Sequence, residues 1–452
     1  MYVVMEPNRF YDIHFHEMDL SHANLTAFLN RFFNEKNGLL NPGFVKKLLV
    51  KNLSRWKVLL LPFISYSILS EKIISVIRDR IFSTKIRNLL SYMETSIVYD
   101  FLIVEYFLKN RNPKIVTAEN KIKIGEMTYD RIVLCPLLID FGYKNLKNKG
   151  VFYNIPPQKP VTRQVKDMFD AIWIYYNNEI SIRVENGITK FKLTSIVPDY
   201  EKKLFEIYPF MGINPKNYSY EEETKMLDKY FSDFSKGDTI DERRRKLNEK
   251  MGLPLKDLED ENDCKNRFAG IKVYPPLGFE PWPADIEERK KVGYLYDFCI
   301  EKNIPIVTHC GTSGFLADVD NTRYADPGFQ WKNVIENKPG IKINFAHFGD
   351  GSEEWKKTIL EYINRNESKI YTDFSCNTEH DEYFKKLKET IETCGHDDLL
   401  TERILFGSDF MINLIWSKSY NEYLGEYIKT RHLNDALKDK FARQNSERFL
   451  FG

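Results

Sequence analysis

The chain has 452 residues, 42% of them hydrophobic and 29% charged, with a formal net charge of +1. That length suits one elaborated domain or two, and the composition supplies a large core. The near-neutral balance argues against a general nucleic-acid binder, which would show a basic excess. Six scattered cysteines without a CxxC pair argue against a zinc knuckle or a disulfide framework and fit reduced thiols.

Along the chain, Met1–Phe10 lacks a basic region followed by an apolar run, so no signal peptide is expected and a cytoplasmic location is. Arg9–His14 reads as a first strand. Residues 20–110 read as several helices, with apolar runs at Leu25–Phe33, Val58–Leu69 and Leu89–Leu108. Val58–Leu69 holds Pro62 and two serines and falls short of the ~18 apolar residues a membrane span requires. Arg131–Ile139 is the second strand, and the Lys144–Lys149 stretch a solvated loop. The segment 178–194 predicts a β-hairpin turned at Asn186-Gly187, and Phe205–Gly212 a third strand.

The second half alternates strands with helical pattern. The strands are Gly270–Tyr274, Pro305–His309, Ile341–His347, Ile370–Phe374 and Ile404–Asp409. Between the first two lies a helix over Asp285–Asn303, with Asp285 as N-cap and Glu288 completing a capping box. Alternating strands and helices predict a parallel sheet, and eight strands are the number that closes a (β/α)8 TIM barrel, although an open doubly wound sheet shares the local pattern. A plain barrel needs about 250 residues. The surplus is read as two insertions within a single domain over 1–452: a mainly helical one at 17–130 and one at 145–200 carrying the hairpin. Insertions after barrel strands lie on the catalytic face, where they would form a lid or a surface for a homodimer.

Four of the eight histidines end predicted strands. His14 and His16 in Asp12-Ile13-His14-Phe15-His16 alternate along a strand and so point the same way. His309 closes PIVTH, His347 closes INFAH, and Asp409 closes ILFGSD. Carboxyl ends of barrel strands are where active sites assemble. Taken singly, an HxH pair, a strand-end histidine and a Gly-Ser-Asp turn are commonplace; five such residues on four strands are hard to explain structurally. His14, His16, His309 and Asp409 form a mixed N/O ligand set suited to zinc and acceptable to manganese, iron or cobalt. Lys272 lies between Ile271 and Val273 and points inward if those two pack outward. It is then a carbamylated bridge to a second ion, a cation for a substrate carboxylate or for Asp409, or a structural ion pair. His380 and Arg323 are weaker substrate-binding candidates. His22, His396 and His432 read as surface positions. Phe315, Tyr324, Trp331, Cys376 and Trp416 are candidate pocket walls, each as readily loop packing.

The ordered set DIHFH, GIKVYPPLGF, PIVTHCG, INFAHFG and FGSDF resembles the amidohydrolase superfamily. It is most similar to the amidohydrolase-related branch that holds the aminocarboxymuconate-semialdehyde and resorcylate decarboxylases, and NSERFLFG resembles that branch's closing helix. The likeness covers mainly residues 8–16 and 205–452. It implies a (β/α)8 barrel in which His14, His16 and His309 bind metal. Asp409 would be a ligand or general base. His347 would polarise the substrate or act as acid/base, or else bind a second ion with Lys272 as carbamylated bridge.

Hydrolysis of an amide, lactone or ester carbonyl of a small molecule is the leading expectation. Non-oxidative decarboxylation of an aromatic or unsaturated acid is the alternative, with Lys272 and Arg323 clamping the carboxylate. A metal-dependent nuclease is a minor reading, disfavoured by Lys272 in place of a strand glutamate and by the neutral charge. A non-catalytic scaffold would be expected to have lost a ligand, and none is missing.

Overall fold

The computed structural model describes residues 6–19, 22, 89, 92–93, 96–111, 115–141, 160–185, 188–200, 202–315, 319–376, 381–395 and 397–452. Most of the expected helical insertion, the Asn186-Gly187 turn, His380 and His396 lie outside them.

The fold is α/β, with two parallel sheets in sequence order. The first joins β1 (Arg9–Phe15), β4 (Arg131–Pro136) and β7 (Phe205–Ile207). The second runs through β8 (Phe210–Gly212), β9 (Gly270–Val273), β10 (Ile306–Thr308), β11 (Lys342–Phe345), β12 (Lys369–Asp373) and β13 (Ile404–Leu405). Two small antiparallel hairpins stand apart: β2 (Ile122–Ile124) with β3 (Met127–Tyr129), and β5 (Asn178–Glu185) with β6 (Ile188–Ser195).

The expected third strand is broken in two. Tyr208 N–H still donates to Leu134 O at 2.9 Å, but the next residue is Pro209, which has no N–H to continue the ladder. The chain turns there from β4 on one side to β9 on the other. Hydrogen bonds also cross the margins of the two sheets. Ile13 N–H donates to Phe406 O at 3.0 Å, and Leu138 N–H donates to Phe210 O at 3.1 Å. Parallel bridges pair Phe15 with Phe410 and Leu137 with Phe210.

Parallel strands covered on both faces read as continuous apolar runs, and β9, β10 and β11 are buried at every position. Helices Ile286–Lys302, Glu353–Arg365 and Asp381–Thr393 supply cover between them. The first is N-capped as expected, Asp285 Oδ1 accepting from Glu287 and Glu288 N–H at 2.9 and 3.0 Å. The reciprocal half of the box is absent, because Glu288 turns to Lys291 at 2.9 Å. The 178–194 hairpin forms with Asn178 opposite Ser195 and Glu185 opposite Ile188. It follows a helix over Val161–Asn177.

Candidate metal centre

The strand ends converge on one buried cluster. His14 Nε2 and His16 Nε2 stand 3.3 Å apart, and Asp409 Oδ1 is 3.4 Å from each. The three side chains are nearly inaccessible to solvent. Asp409 holds its place in the left-handed region at φ 55, as does His347 at φ 63, so both strand ends turn sharply inward.

The protons of the two imidazoles are fixed by what their other nitrogens touch. His16 Nδ1 is 2.9 Å from the carbonyl of Leu137, an acceptor only, so Nδ1 carries the hydrogen and Nε2 the lone pair. His14 Nδ1 is 3.1 Å from Asp373 Oδ2 and 3.0 Å from Ser375 Oγ. Ser375 spends its own hydrogen on Asp373 Oδ1, so His14 Nδ1 is again the donor. Burial disfavours the charged imidazolium and lowers both pKa values. Two nitrogen lone pairs and a carboxylate oxygen therefore face one point with no proton between them.

That arrangement fits a divalent cation. A tetrahedral ion with bonds of about 2.0–2.1 Å holds its ligand atoms about 3.3–3.4 Å apart, which is the spacing of this triangle. A second group within ligand distance, His14, His347 and Asp373, is different in kind. His347 Nδ1 approaches the Ser375 carbonyl at 3.2 Å and Ser375 Oγ at 2.9 Å, so it too bears a hydrogen. Asp373 Oδ1 also accepts from His347 N–H at 3.0 Å, and Asn344 donates to Oδ2 at 2.6 Å. Burial would raise the Asp373 carboxyl, but the partners it accepts from, His14 first, hold it below the usual carboxylate range.

His309 stands beside this triangle. Its ring centroid is 4.9 Å from that of His347 and 4.8 Å from that of Tyr274, and its Nε2 is directed at the Ser313 carbonyl at 2.7 Å. Lys272 is 1% exposed, and its charge is felt by His14, His16 and His309, so it faces the same cluster. Arg323 is exposed and donates to the Tyr324 hydroxyl at 3.1 Å. Of the candidate walls, Phe315 adjoins Tyr274 with centroids 6.3 Å apart. Trp331 is core, packed between Phe279 and Phe345, and Trp416 is 48% exposed.

The expected surface position of His22 is wrong. It is fully buried, its Nε2 3.0 Å from Asp167 on the helix over Val161–Asn177, and that helix was not part of the sequence reading. His432 is partly exposed and faces Asp381 at 3.1 Å.

Sequence reasoning missed Asp373, Ser375 and Asp12. Asp373 ends β12 as the other site residues end theirs, so position alone could have flagged it. Asp12 precedes His14 by two residues and shares its side of the strand. It accepts from Ser408 N–H at 2.9 Å and from the Tyr420 hydroxyl at 3.1 Å, tying β1 to the loop that carries Asp409. Burial pushes its carboxyl up to about 7, and these bonds restrain the rise.

Residues 254–452 match the family model described as Amidohydrolase. The match covers less than half of the chain. The matched region supplies Lys272, His309, His347, Asp373 and Asp409, whereas His14 and His16 come from outside it. No curated protein matches the chain. Among solved structures it is similar to a 2,6-dihydroxybenzoate decarboxylase complexed with 2,6-dihydroxybenzoate, at 12% identity and TM-score 0.38 over 76% of this chain and 87% of that one. A 5-carboxyvanillate decarboxylase variant from Novosphingobium aromaticivorans with bound manganese is similar at 11% identity and TM-score 0.41, over 98% of this chain and 97% of that one. A probable 2-pyrone-4,6-dicarboxylic acid hydrolase from Acinetobacter baumannii is similar at 9% identity and TM-score 0.38, over 71% of this chain and 84% of that one.

Proposed function

We propose that the eight strands close into a (β/α)8 barrel, with β7 and β8 forming one kinked strand, and that the chain is a metal-dependent hydrolase of a small-molecule amide, lactone or ester. His14, His16 and Asp409 hold one divalent ion, zinc by the chemistry of the set. The observation that carries this reading is the tautomer-locked triangle: three unprotonated donors aimed at one point repel one another unless a cation lies between them. The hydrogen bonds across both sheet margins support closure.

When bound, the ion supplies Lewis acidity, which strengthens water as an acid and polarises a carbonyl oxygen. Asp409 keeps one oxygen outside the triangle and takes the proton from the attacking water. His347, its Nδ1 hydrogen held by Ser375, presents an Nε2 lone pair that accepts from the attacking water and orients it, and Asp409 passes the proton it has taken to the leaving group. A second reading, decarboxylation at the same site, draws on the buried Lys272 ammonium, which has no hydrogen-bond partner among the described residues.

The test is metal content by elemental mass spectrometry. About one zinc per chain is expected in the parent, and His14→Ala and His16→Ala should lose it. A parent protein that takes up no zinc or manganese would falsify the metal reading. With metal content established, ester, lactone and carboxylic-acid panels distinguish the two reactions.

A further inference from the structure

The strand β6 reads ITKFKLTS, so lysine alternates with apolar residues through its middle. Alternation puts Phe191 and Leu193 on one face and Lys190 and Lys192 on the other. On β5, Ile182 stands opposite Phe191, Ile180 opposite Leu193, and Arg183 opposite Lys190. The hairpin therefore has an apolar face and a cationic one, with Glu179 at the end beside Thr194. Ile180 and Ile182 are half-buried, whereas Phe191 is 52% and Leu193 38% exposed. Arg183, Lys190 and Lys192 are exposed as well.

The backbone shows which edge is open. Ile196 N–H donates to Asn177 O at 3.0 Å just beyond the last ladder pair, and such pairs recur at every second residue of an antiparallel ladder. The backbone groups of Glu179, Ser181 and Arg183 therefore face β6, and those of Asn178, Ile180 and Ile182 face away from it. That outer side of β5 is partly covered. The Tyr106 hydroxyl, on the helix over Asp100–Arg111, donates to Ile182 O at 3.4 Å, and the Lys203 ammonium donates to Asn178 O at 2.6 Å. By the same rule the outward groups of β6 are those of Thr189, Phe191, Leu193 and Ser195. None of these N–H and carbonyl groups is hydrogen-bonded outside the hairpin among the described residues. Beside this edge lies a groove of about 340 Å3 lined by Tyr99, Trp173, Ile174, Leu193 and Ile196.

A row of open backbone donors and acceptors beside an apolar groove is a template for an added strand. A second copy of β6 does not fit it. In a two-fold antiparallel pairing, any register centred on Lys190, Phe191 or Lys192 sets lysine opposite lysine, which destabilises the pair. We propose that the outer edge of β6 docks an extended segment of a partner protein in which acidic and apolar residues alternate. The acidic side chains lie opposite Lys190 and Lys192. The apolar ones lie opposite Phe191 and Leu193, one of them entering the groove against Tyr99 and Trp173.

The experiment measures fluorescence anisotropy of a labelled peptide of alternating glutamate and valine, titrated with the full chain. Two controls carry the same length: glutamates and valines in separate blocks, and lysine in place of glutamate. The alternating acidic peptide should bind about tenfold or more tighter than either control. Leu193→Pro removes one outward N–H and leaves the β5 ladder its donors. It should weaken binding about tenfold or more with the circular dichroism spectrum unchanged. Should that variant lose the hairpin, Lys190→Glu combined with Lys192→Glu provides the test, since it should transfer the preference to the lysine peptide. Absence of binding, equal binding of the block peptide, a preference unmoved by the charge reversal, or full affinity in a folded Leu193→Pro each overturns the proposal. So does a dimer in sedimentation that Leu193→Pro dissociates, which would make a second copy the occupant.

Discussion

At the residue scale, Asp373 does more than its absence from the sequence reading suggests. It fixes the tautomer of His14, receives the backbone N–H of His347, and takes the hydroxyl hydrogen of Ser375. One carboxylate thereby sets the direction of two imidazoles. Replacing it with Asn keeps the volume but offers an NH2 where His14 needs an acceptor. Asp373→Asn should weaken zinc binding by about 10–100-fold, the usual cost of losing such a partner. Competition against a chromophoric chelator reads this directly. Unchanged affinity would mean that the tautomer is set elsewhere.

At the scale of elements, the site depends on how closely β1 approaches the loop after β13. Gly407 lies at that crossing. A Cβ built there would be 2.6 Å from the His14 Cβ and 3.1 Å from the Ser375 Cβ. Neither can yield without moving its backbone. Gly407→Ala should destabilise the fold by about 1–3 kcal/mol, as overpacking a filled interior does. It should also lower zinc occupancy, because His14 is the group displaced. Denaturant unfolding and metal analysis on the same sample separate the two effects. A similar restriction holds at Gly314, at φ +117, where a Cβ would meet the Tyr274 hydroxyl at 2.6 Å and His309 Nε2 at 2.8 Å.

At the scale of the whole molecule, one buried carboxyl far along the chain from the cluster should govern stability against pH. Glu223 is fully buried, neither of its oxygens has a hydrogen-bond partner among the described residues, and burial raises its pKa to about 8 despite Lys291 nearby. The folded state thus keeps a proton that the unfolded chain releases near pH 4.5. Stability should therefore fall as pH rises from about 4.5 to 8, by a few kcal/mol in all. Glu223→Gln should flatten that slope, seen as a melting temperature that no longer drops across this range. A parent protein equally stable at pH 5 and pH 8 would contradict the assignment. The ledger of sequence and structure divides along the same physical line. Local pattern sufficed wherever local forces decide: the strands from Gly270 onward, the Asp285 cap, the 178–194 hairpin register, and the strand-end positions of His14, His16, His347 and Asp409. These follow from side-chain alternation and turn chemistry, which act over a few residues. Contacts between distant segments were not legible. The burial of His22 against Asp167 and the contact of His14 with Asp373 each depend on which surface another part of the chain brings up. Above all, the sequence by itself determined which side chains could bind a cation. Only the tertiary structure decided that His14, His16 and Asp409 point their lone pairs at one place, because the acceptors that fix those protons, Leu137 just past β4 and Asp373 on β12, lie more than a hundred residues along the chain.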